Sequence, residues 1–140
     1  MVYTSFPMIE RMTRIGTYGV CQVNQTLLLV PKKSGPYQGC LDLPGGRLEF
    51  GETPEETLRR EFLEETAGEF SMARLLFNTS CTFIKQNYEL YHIGLIYNVL
   101  GWKPLSNRCP EDEFYWIDFS QLATINLTPF AQDAVSYLKL

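Results

Sequence analysis

Three carboxylates, Glu61, Glu64 and Glu65, stand within five consecutive positions, directly after Arg59 and Arg60. Like charges at helical spacing repel, so a turn carrying three acids weakens its own helix unless something positive sits among them. On a helix of 3.6 residues per turn, Glu65 lies about 40° to one side of Glu61 and Glu64 about 60° to the other. Their oxygens can converge in one patch. Leu58 and Phe62 are assigned to the opposite side, packed against a sheet. Glu56 and Arg60, four apart in the favourable order, are expected to pair. The plain alternative is a solvated helix face, because Glu and Arg are good helix formers and charge runs usually mean nothing more.

A hard divalent cation removes the repulsion. Mg²⁺ takes oxygen ligands at about 2.0–2.1 Å and prefers carboxylates, waters and substrate phosphates, and Mn²⁺ is its natural substitute. Carboxylates on one turn suit more than one ion, roughly 3.5–4 Å apart in two-metal phosphoryl chemistry. Such ions neutralise the local field, bind a polyphosphate, polarise phosphorus and acidify a bound water. Just upstream, Gly45 and Gly46 have no side chains, so the backbone there can approach a ligand and offer a carbonyl to a metal. A glycine pair alone is equally a simple turn.

The elements around these residues are legible. Thr53 is a good N-cap, Pro54 suits the first helical position and Glu56 completes a capping box. The helix is expected to run to about Ala67, with Gly68 supplying the left-handed stop. "RIGTYGVCQV" and "TLLLV" read as strands joined by a turn at Asn24–Gln25, and "PKKSGPYQG" as a loop. "CLDLPGG" reads as one short strand, "SMARLLFNTSCTFIK" and "YELYHIGLIYNVLG" as two long ones. "NRCPEDEFYWIDF" is an acidic loop feeding a short strand, and Thr128-Pro129 opens a closing helix whose apolar face is Phe130, Ala134, Val135 and Leu138. Strands mixed with two helices, without strict alternation, predict an α+β domain over residues 1–140.

Composition bounds the function. The 140 residues are 45% hydrophobic and 20% charged, a globular balance. The net charge of −4 argues against a nucleic-acid binder held by phosphate contacts. Half of the 16 acidic residues fall between Glu49 and Glu69, a local field that repels an anionic substrate unless cations intervene. Cys21, Cys40, Cys81 and Cys109 form no CxxC pair and are expected to be reduced, mostly buried thiols. No secretory signal and no membrane-length apolar run is present, so the chain reads as soluble and cytoplasmic, with no membrane partner. The apolar residues of "MVYTSFPMIERM" are left to pack on a partner chain or on the protein's own sheet, and the protein reads as monomer or homodimer.

"GGRLEFGETPEETLRREFLEETAG", residues 45–68, resembles the Nudix box, G-x5-E-x7-R-E-U-x-E-E-x-G-U with U aliphatic. Gly46, Glu52, Arg60, Glu61, Glu64 and Glu65 fall on its fixed positions and Phe62 on its first apolar slot. Ala67 stands where the box has glycine, with Gly68 one place late. The resemblance implies an α/β/α sandwich with a mixed β-sheet. It implies that Mg²⁺ is held by Glu61, Glu64, Glu65 and a carbonyl of Gly45 or Gly46. Arg60 orients the carboxylates, and Glu52 supports the loop–helix junction through hydrogen bonds or reaches a metal through water. The implied reaction is hydrolysis of a phosphoanhydride in a nucleoside diphosphate linked to another moiety, by water attack at phosphorus. The base is a box Glu or a Glu of a later loop, and Glu111, Asp112 and Glu113 are candidates whose alternative is an ordinary acidic loop.

The partner is then a small nucleotide or nucleotide derivative. The chain lacks the proline that follows the box in the ADP-ribose-like group and the "SQPWPxPxS" stretch of NADH-type members. That absence points towards nucleoside triphosphates or small derivatives. An RNA 5′ end needs a basic groove, of which Lys32 and Lys33 are a beginning. Tyr37 and Phe83 are the first candidates to stack on a base. His92 is assigned a structural role. The rival reading is a nucleotide-sensing or scaffold module that keeps the fold without turnover.

Overall fold

The computed structural model describes residues 8–140. Among these residues nine strands are interrupted by one α-helix and followed by a second: β1 Glu10–Val23, β2 Thr26–Pro31, β3 Leu41–Asp42, β4 Gly45–Arg47, α1 Pro54–Thr66, β5 Gly68–Glu69, β6 Met72–Lys85, β7 Tyr88–Leu100, β8 Lys103–Pro104, β9 Tyr115–Asp118 and α2 Pro129–Leu138. A 3₁₀ turn, Phe119–Thr124, precedes α2. The main sheet runs β3-β2-β1-β7-β6, with β4 also on β1 and β9 also on β2. β1 and β7 are parallel and the other pairings are antiparallel, so the sheet is mixed.

Side chains alternate across a strand, and here each face meets a helix. Val20, Leu27, Leu29 and Ile96 face one way and pack with Phe130, Ala131 and Ala134 of α2. Cys21, Leu28 and Val99 face the other way and pack with Leu58 and Phe62 of α1. The sheet is the middle layer of an α/β/α sandwich, as expected. Phe62 is fully buried, and its truncation to alanine belongs to a class that costs ~3–5 kcal/mol.

One long strand organises the site. β7 accompanies β1 along one edge from Glu10 to Cys21. On the other edge β1 changes partner: β4 lies against Gly16–Tyr18 and β2 against Gln22–Val23. Where the partners change, the Gly19 amide donates to the Pro44 carbonyl at 2.8 Å. "CLDLPGG" is therefore two short strands rather than one, β3 paired to β2 and β4 to β1, diverging at Pro44-Gly45. β1 also starts at Glu10, four residues before the expected Arg14, because β7 pairs with it that far. Of "MVYTSFPMIERM", Met1–Pro7 lie outside the described residues, Glu10–Met12 pair with the protein's own β7, and Met8 and Ile9 are exposed.

Asn24 and Gln25 both take positive φ, 49° and 63°, which is the turn that suits a right-twisted hairpin. Of the four free cysteines only Cys21 is buried, while Cys109 is exposed, so the expectation of mostly buried thiols is corrected. No helix among the described residues is long and apolar enough to cross a membrane.

The end of α1 differs from the expectation. Gly68 is not the left-handed stop. Ala67, at the box position itself, takes φ 52° and ψ 29° and its N–H bonds the Leu63 carbonyl. Gly68 is strand β5, paired with Pro104, and a side chain there would strike the Trp102 indole. Gly68 is needed for close packing, and Ala67 carries the steric cost of the turn, about 1–2 kcal/mol for a residue with a Cβ.

His92 is structural. Its Nε2 is 3.1 Å from the Tyr18 hydroxyl and its ring packs on Phe130 at 4.7 Å. Burial, and then the charges of Lys32 and Arg14, lower its pKa to about 4.

Two outcomes follow. Ala67→Gly is expected to raise stability by about 0.5–1 kcal/mol, the relieved left-handed penalty less the extra freedom of glycine when unfolded. A urea midpoint no higher than that of the parent chain contradicts the strain assignment. The only histidine of the chain gives one imidazole signal for NMR. It should stay neutral until pH near 4, while the unfolded chain takes up its proton near 6.5. Stability contributed by His92 is thus present above pH 6.5 and lost as pH falls towards 4. A folded-state midpoint near 6.5 contradicts the buried assignment.

Candidate active site

α1 begins as its sequence requires: the Thr53 hydroxyl accepts from the Glu56 amide at 3.2 Å and Pro54 opens the helix. At 100° per residue, Leu58, Glu61, Phe62 and Glu65 fall within one arc of about 100°. Leu58 and Phe62 are therefore not opposite the carboxylates, as expected from sequence, but beside them on the sheet-facing side. That is why Glu61 and Glu65 are both partly buried.

The sheet receives the two carboxyls at the glycine pair. The Gly45 amide donates to Glu65 Oε1 at 3.0 Å. Gly45 has φ 150°, and a Cβ on it would run into the Thr17 carbonyl, so this position tolerates no side chain. A Cβ on Gly46 would lie 2.5 Å from Glu61 Oε1, so Glu61 occupies the space that a side chain there would fill. Burial chiefly raises the pKa of both Glu61 and Glu65, most for Glu65.

Arg60 organises the remaining charge. Its Nε and Nη2 grip Glu52 at 2.9 and 3.0 Å, a two-point clamp, and its Nη1 reaches Glu61 Oε1 at 3.0 Å and Glu64 at 3.5 Å. Glu52 also accepts from the buried Thr57 hydroxyl at 3.0 Å, and its hydrogen bonds to Arg60 hold its pKa below the usual range. The expected Glu56–Arg60 pair is replaced by this fan, and the i,i+4 pair on the far side is Arg59–Glu55 at 3.9 Å. One guanidinium facing three carboxylates is how the helix tolerates its acid.

A cavity of about 570 Å³ opens over this face. Three segments wall it: Val30–Ser34 with Lys32 and Lys33; Asp42, Leu43 and Gly45 with Glu61 and Glu65; and Glu111–Glu113. The acidic loop is pinned there by the Glu111 amide on the Glu64 carbonyl at 2.8 Å and by Asp112 on Lys33 at 3.5 Å. Glu113 accepts a hydrogen bond from the Tyr115 hydroxyl.

The predicted residues divide accordingly. Glu61, Glu65, Gly45, Glu111 and Glu113 meet in one cavity. Glu52 and Arg60 stand behind it, Gly46 lies beneath Glu61, and Glu64 is turned to Arg60 with its side chain 39% exposed. Among the described residues no three acidic, histidine or cysteine side chains already form a metal cage. Tyr37 and Phe83 pair edge-to-face at 6.2 Å. Tyr37 lines a neighbouring cavity of about 20 Å³ with Lys32, Asp42 and His92, and Phe83 lines neither cavity.

Sequence reasoning missed Asp42, which lines both cavities. It is buried, accepts from the Thr128 hydroxyl at 2.6 Å and the Leu43 amide at 2.8 Å, and has its pKa raised by burial. The only signal was a lone acid between two leucines of a short strand. It missed Thr17 as well, fully buried opposite Gly46 with a hydroxyl that has no hydrogen-bond partner.

Comparison with known proteins agrees with this architecture. The chain matches the NUDIX domain family over residues 11–139. An ADP-ribose pyrophosphatase of Methanocaldococcus jannaschii is 46% identical over 48 residues, 34% of this chain and 28% of that relative's length. Among solved structures, a MutT NUDIX hydrolase from Burkholderia pseudomallei superposes with a TM-score of 0.77 at 22% identity, covering 90% of this chain and 98% of that one. The NUDIX domain of Shewanella oneidensis NrtR, complexed with ADP ribose, gives 0.70 at 16% identity, covering 98% and 92%. At these identities the structural matches establish the fold.

Proposed function

The chain belongs to the Nudix family, and on that premise we propose that it is a pyrophosphohydrolase. It cleaves a phosphoanhydride bond in a nucleoside diphosphate linked to another moiety. The observation that carries this reading is the convergence of Glu65 on the Gly45 amide and of Glu61 over Gly46, in the wall of a cavity that also presents Lys32 and Lys33. Its volume, about 570 Å³, is in the range of small-ligand sites.

Glu61 and Glu65, joined by Glu64 and the backbone at Gly45, are the residues that would hold a divalent cation. A purely oxygen donor set without histidine or cysteine favours Mg²⁺, with Mn²⁺ as substitute. The fit rests on donor chemistry: two partly buried carboxyls converge on the glycine pair, where one backbone amide and one guanidinium are their positive partners, and a cation offsets the remaining acid. When bound, the cation supplies Lewis-acid polarisation of phosphorus and an acidified water.

The chain's own residues do the rest. Lys32 and Lys33 draw in the phosphates. Arg60 fixes Glu61 and Glu64 relative to Glu52, so that the donor atoms need little reorganisation. Glu111, on the pinned loop, takes the proton of the attacking water, whereas Glu113 is occupied by Tyr115. Water attacks phosphorus, the anhydride oxygen leaves, and two phosphate-bearing fragments result.

The M. jannaschii relative is named for ADP-ribose, while the missing proline after the box points towards triphosphates. The substrate panel therefore contains both, with dinucleoside polyphosphates, nucleotide sugars and capped RNA. Expected is Mg²⁺- or Mn²⁺-dependent turnover of a nucleotide anhydride, abolished by chelation, with the cleaved bond read from product masses. Glu65→Gln and Glu61→Gln should lower kcat by ~10²–10³-fold, and Glu111→Gln by ~10²-fold. Tight nucleotide binding with no turnover across the panel replaces the enzyme with the sensing module, a reading that the outward turn of Glu64 favours.

A further inference from the structure

We propose that Thr17 is a positioning residue of this site, whose free hydroxyl is placed to donate to the Glu61 carboxylate when that carboxylate turns to a cation. The inference rests on the catalytic reading above and extends it to a residue outside the box.

Four observations place the hydroxyl. Thr17 is the register partner of Gly46 in the antiparallel β1–β4 pair. Directly paired residues project to the same face of a sheet, with Cβ positions about 4.5–5.5 Å apart. The Cβ position of Gly46 lies 2.5 Å from Glu61 Oε1 and 2.6 Å from its Cδ, so that face is where the carboxyl rests. Thr17 is completely buried, and its Oγ1 has no hydrogen-bond partner.

A buried hydroxyl without a partner is rare in a folded protein, and valine would fill the same volume without the desolvation cost. The hydroxyl is therefore not there for packing. Glu61 has capacity for it: a carboxylate offers about four lone-pair sites, and its hydrogen-bond donor here is Arg60. The neighbours explain why Thr17 alone can serve. Gly46 lacks a side chain, and the Thr57 hydroxyl is already committed to Glu52. Arg60 holds Glu61 from the helix, and the Thr17 hydroxyl lies on the sheet side, free to donate once the carboxylate shifts towards a cation.

Thr17→Val and Thr17→Ser separate this role from a structural one. The readouts are the thermal midpoint of metal-free protein, Mn²⁺ binding followed by the EPR signal of free Mn²⁺, and kcat and KM. Valine is expected to leave the midpoint unchanged or raise it by ~2–4 °C, because it removes an unpartnered group. It is expected to weaken Mn²⁺ binding roughly tenfold and to lower kcat more than it raises KM. Serine, which keeps the hydroxyl, should restore Mn²⁺ affinity to within about twofold. Wild-type Mn²⁺ affinity in Thr17→Val overturns the proposal while leaving the catalytic reading intact. So does a Mn²⁺ deficit in Thr17→Val that comes with a lowered midpoint and is not rescued by serine. A parent chain that binds no Mn²⁺ overturns the catalytic reading, and the role of Thr17 with it.

Discussion

Two carboxyl groups pressed between a helix and a sheet set the terms for the rest of this structure. Burying an ionised carboxylate is costly, and burying two side by side is worse. The chain answers with one backbone amide from Gly45 and one guanidinium from Arg60. Each answer makes a demand on its surroundings. The amide is within reach only because Gly45 adopts a backbone closed to other residues. The carboxyl fits only because Gly46 leaves its side-chain space open. The guanidinium stays in place because Glu52 grips it at two points and Thr57 in turn holds Glu52. The box is the consequence of putting charge where a core would otherwise be.

The sheet supplies the opening in which that arrangement is useful. β1 changes partner from β4 to β2 at Gly19, and the chain passing between those partners carries Asp42, Leu43 and Gly45 into the cavity wall. The loop after β2 brings Lys32 and Lys33, and the loop before β9 brings Glu111–Glu113. The charges on α1 thus face loops, and loops carried on a rigid scaffold are where binding residues concentrate. The large aromatic residues mostly serve packing. Trp102 with Trp116 and Phe114, and Tyr18 with Phe130, form edge-to-face contacts.

How far the sequence carried depends on the range of each cause. The α1 start, the Asn24–Gln25 turn and the two long strands β6 and β7 rest on local chemistry, and all were legible. The site's acids were legible through their spacing. Their direction was misjudged, because Leu58 and Phe62 share the arc of Glu61 and Glu65 instead of opposing it. The Ala67 turn was misread for a tertiary reason. Gly68 looked like the cap by composition, but Trp102, 34 positions away, claims its missing side chain. Asp42 and Thr17 were invisible for the same kind of reason. Asp42 acquires meaning from Thr128, and Thr17 from its register against Gly46. Neither relation leaves a local pattern.

The electrostatics of the cavity link the fold to its chemistry. Six carboxyl side chains, of Asp42, Glu61, Glu65, Glu111, Asp112 and Glu113, share its lining with two lysines, and Lys33 is already paired with Asp112. A polyphosphate entering such a space meets repulsion that two ammonium groups do not cancel, since unlike and like charges at these separations weigh comparably. Burial, which raises the pKa of Glu65 and Asp42, lightens the burden but leaves an excess of acid. A site that would repel an anionic ligand is poorly explained as a surface, and poorly explained as a binding pocket acting alone. It becomes economical on the proposed reading, in which cations are counted among its components. They would stabilise the carboxylates that the fold partly buries at a cost, and would carry the positive charge that phosphates require.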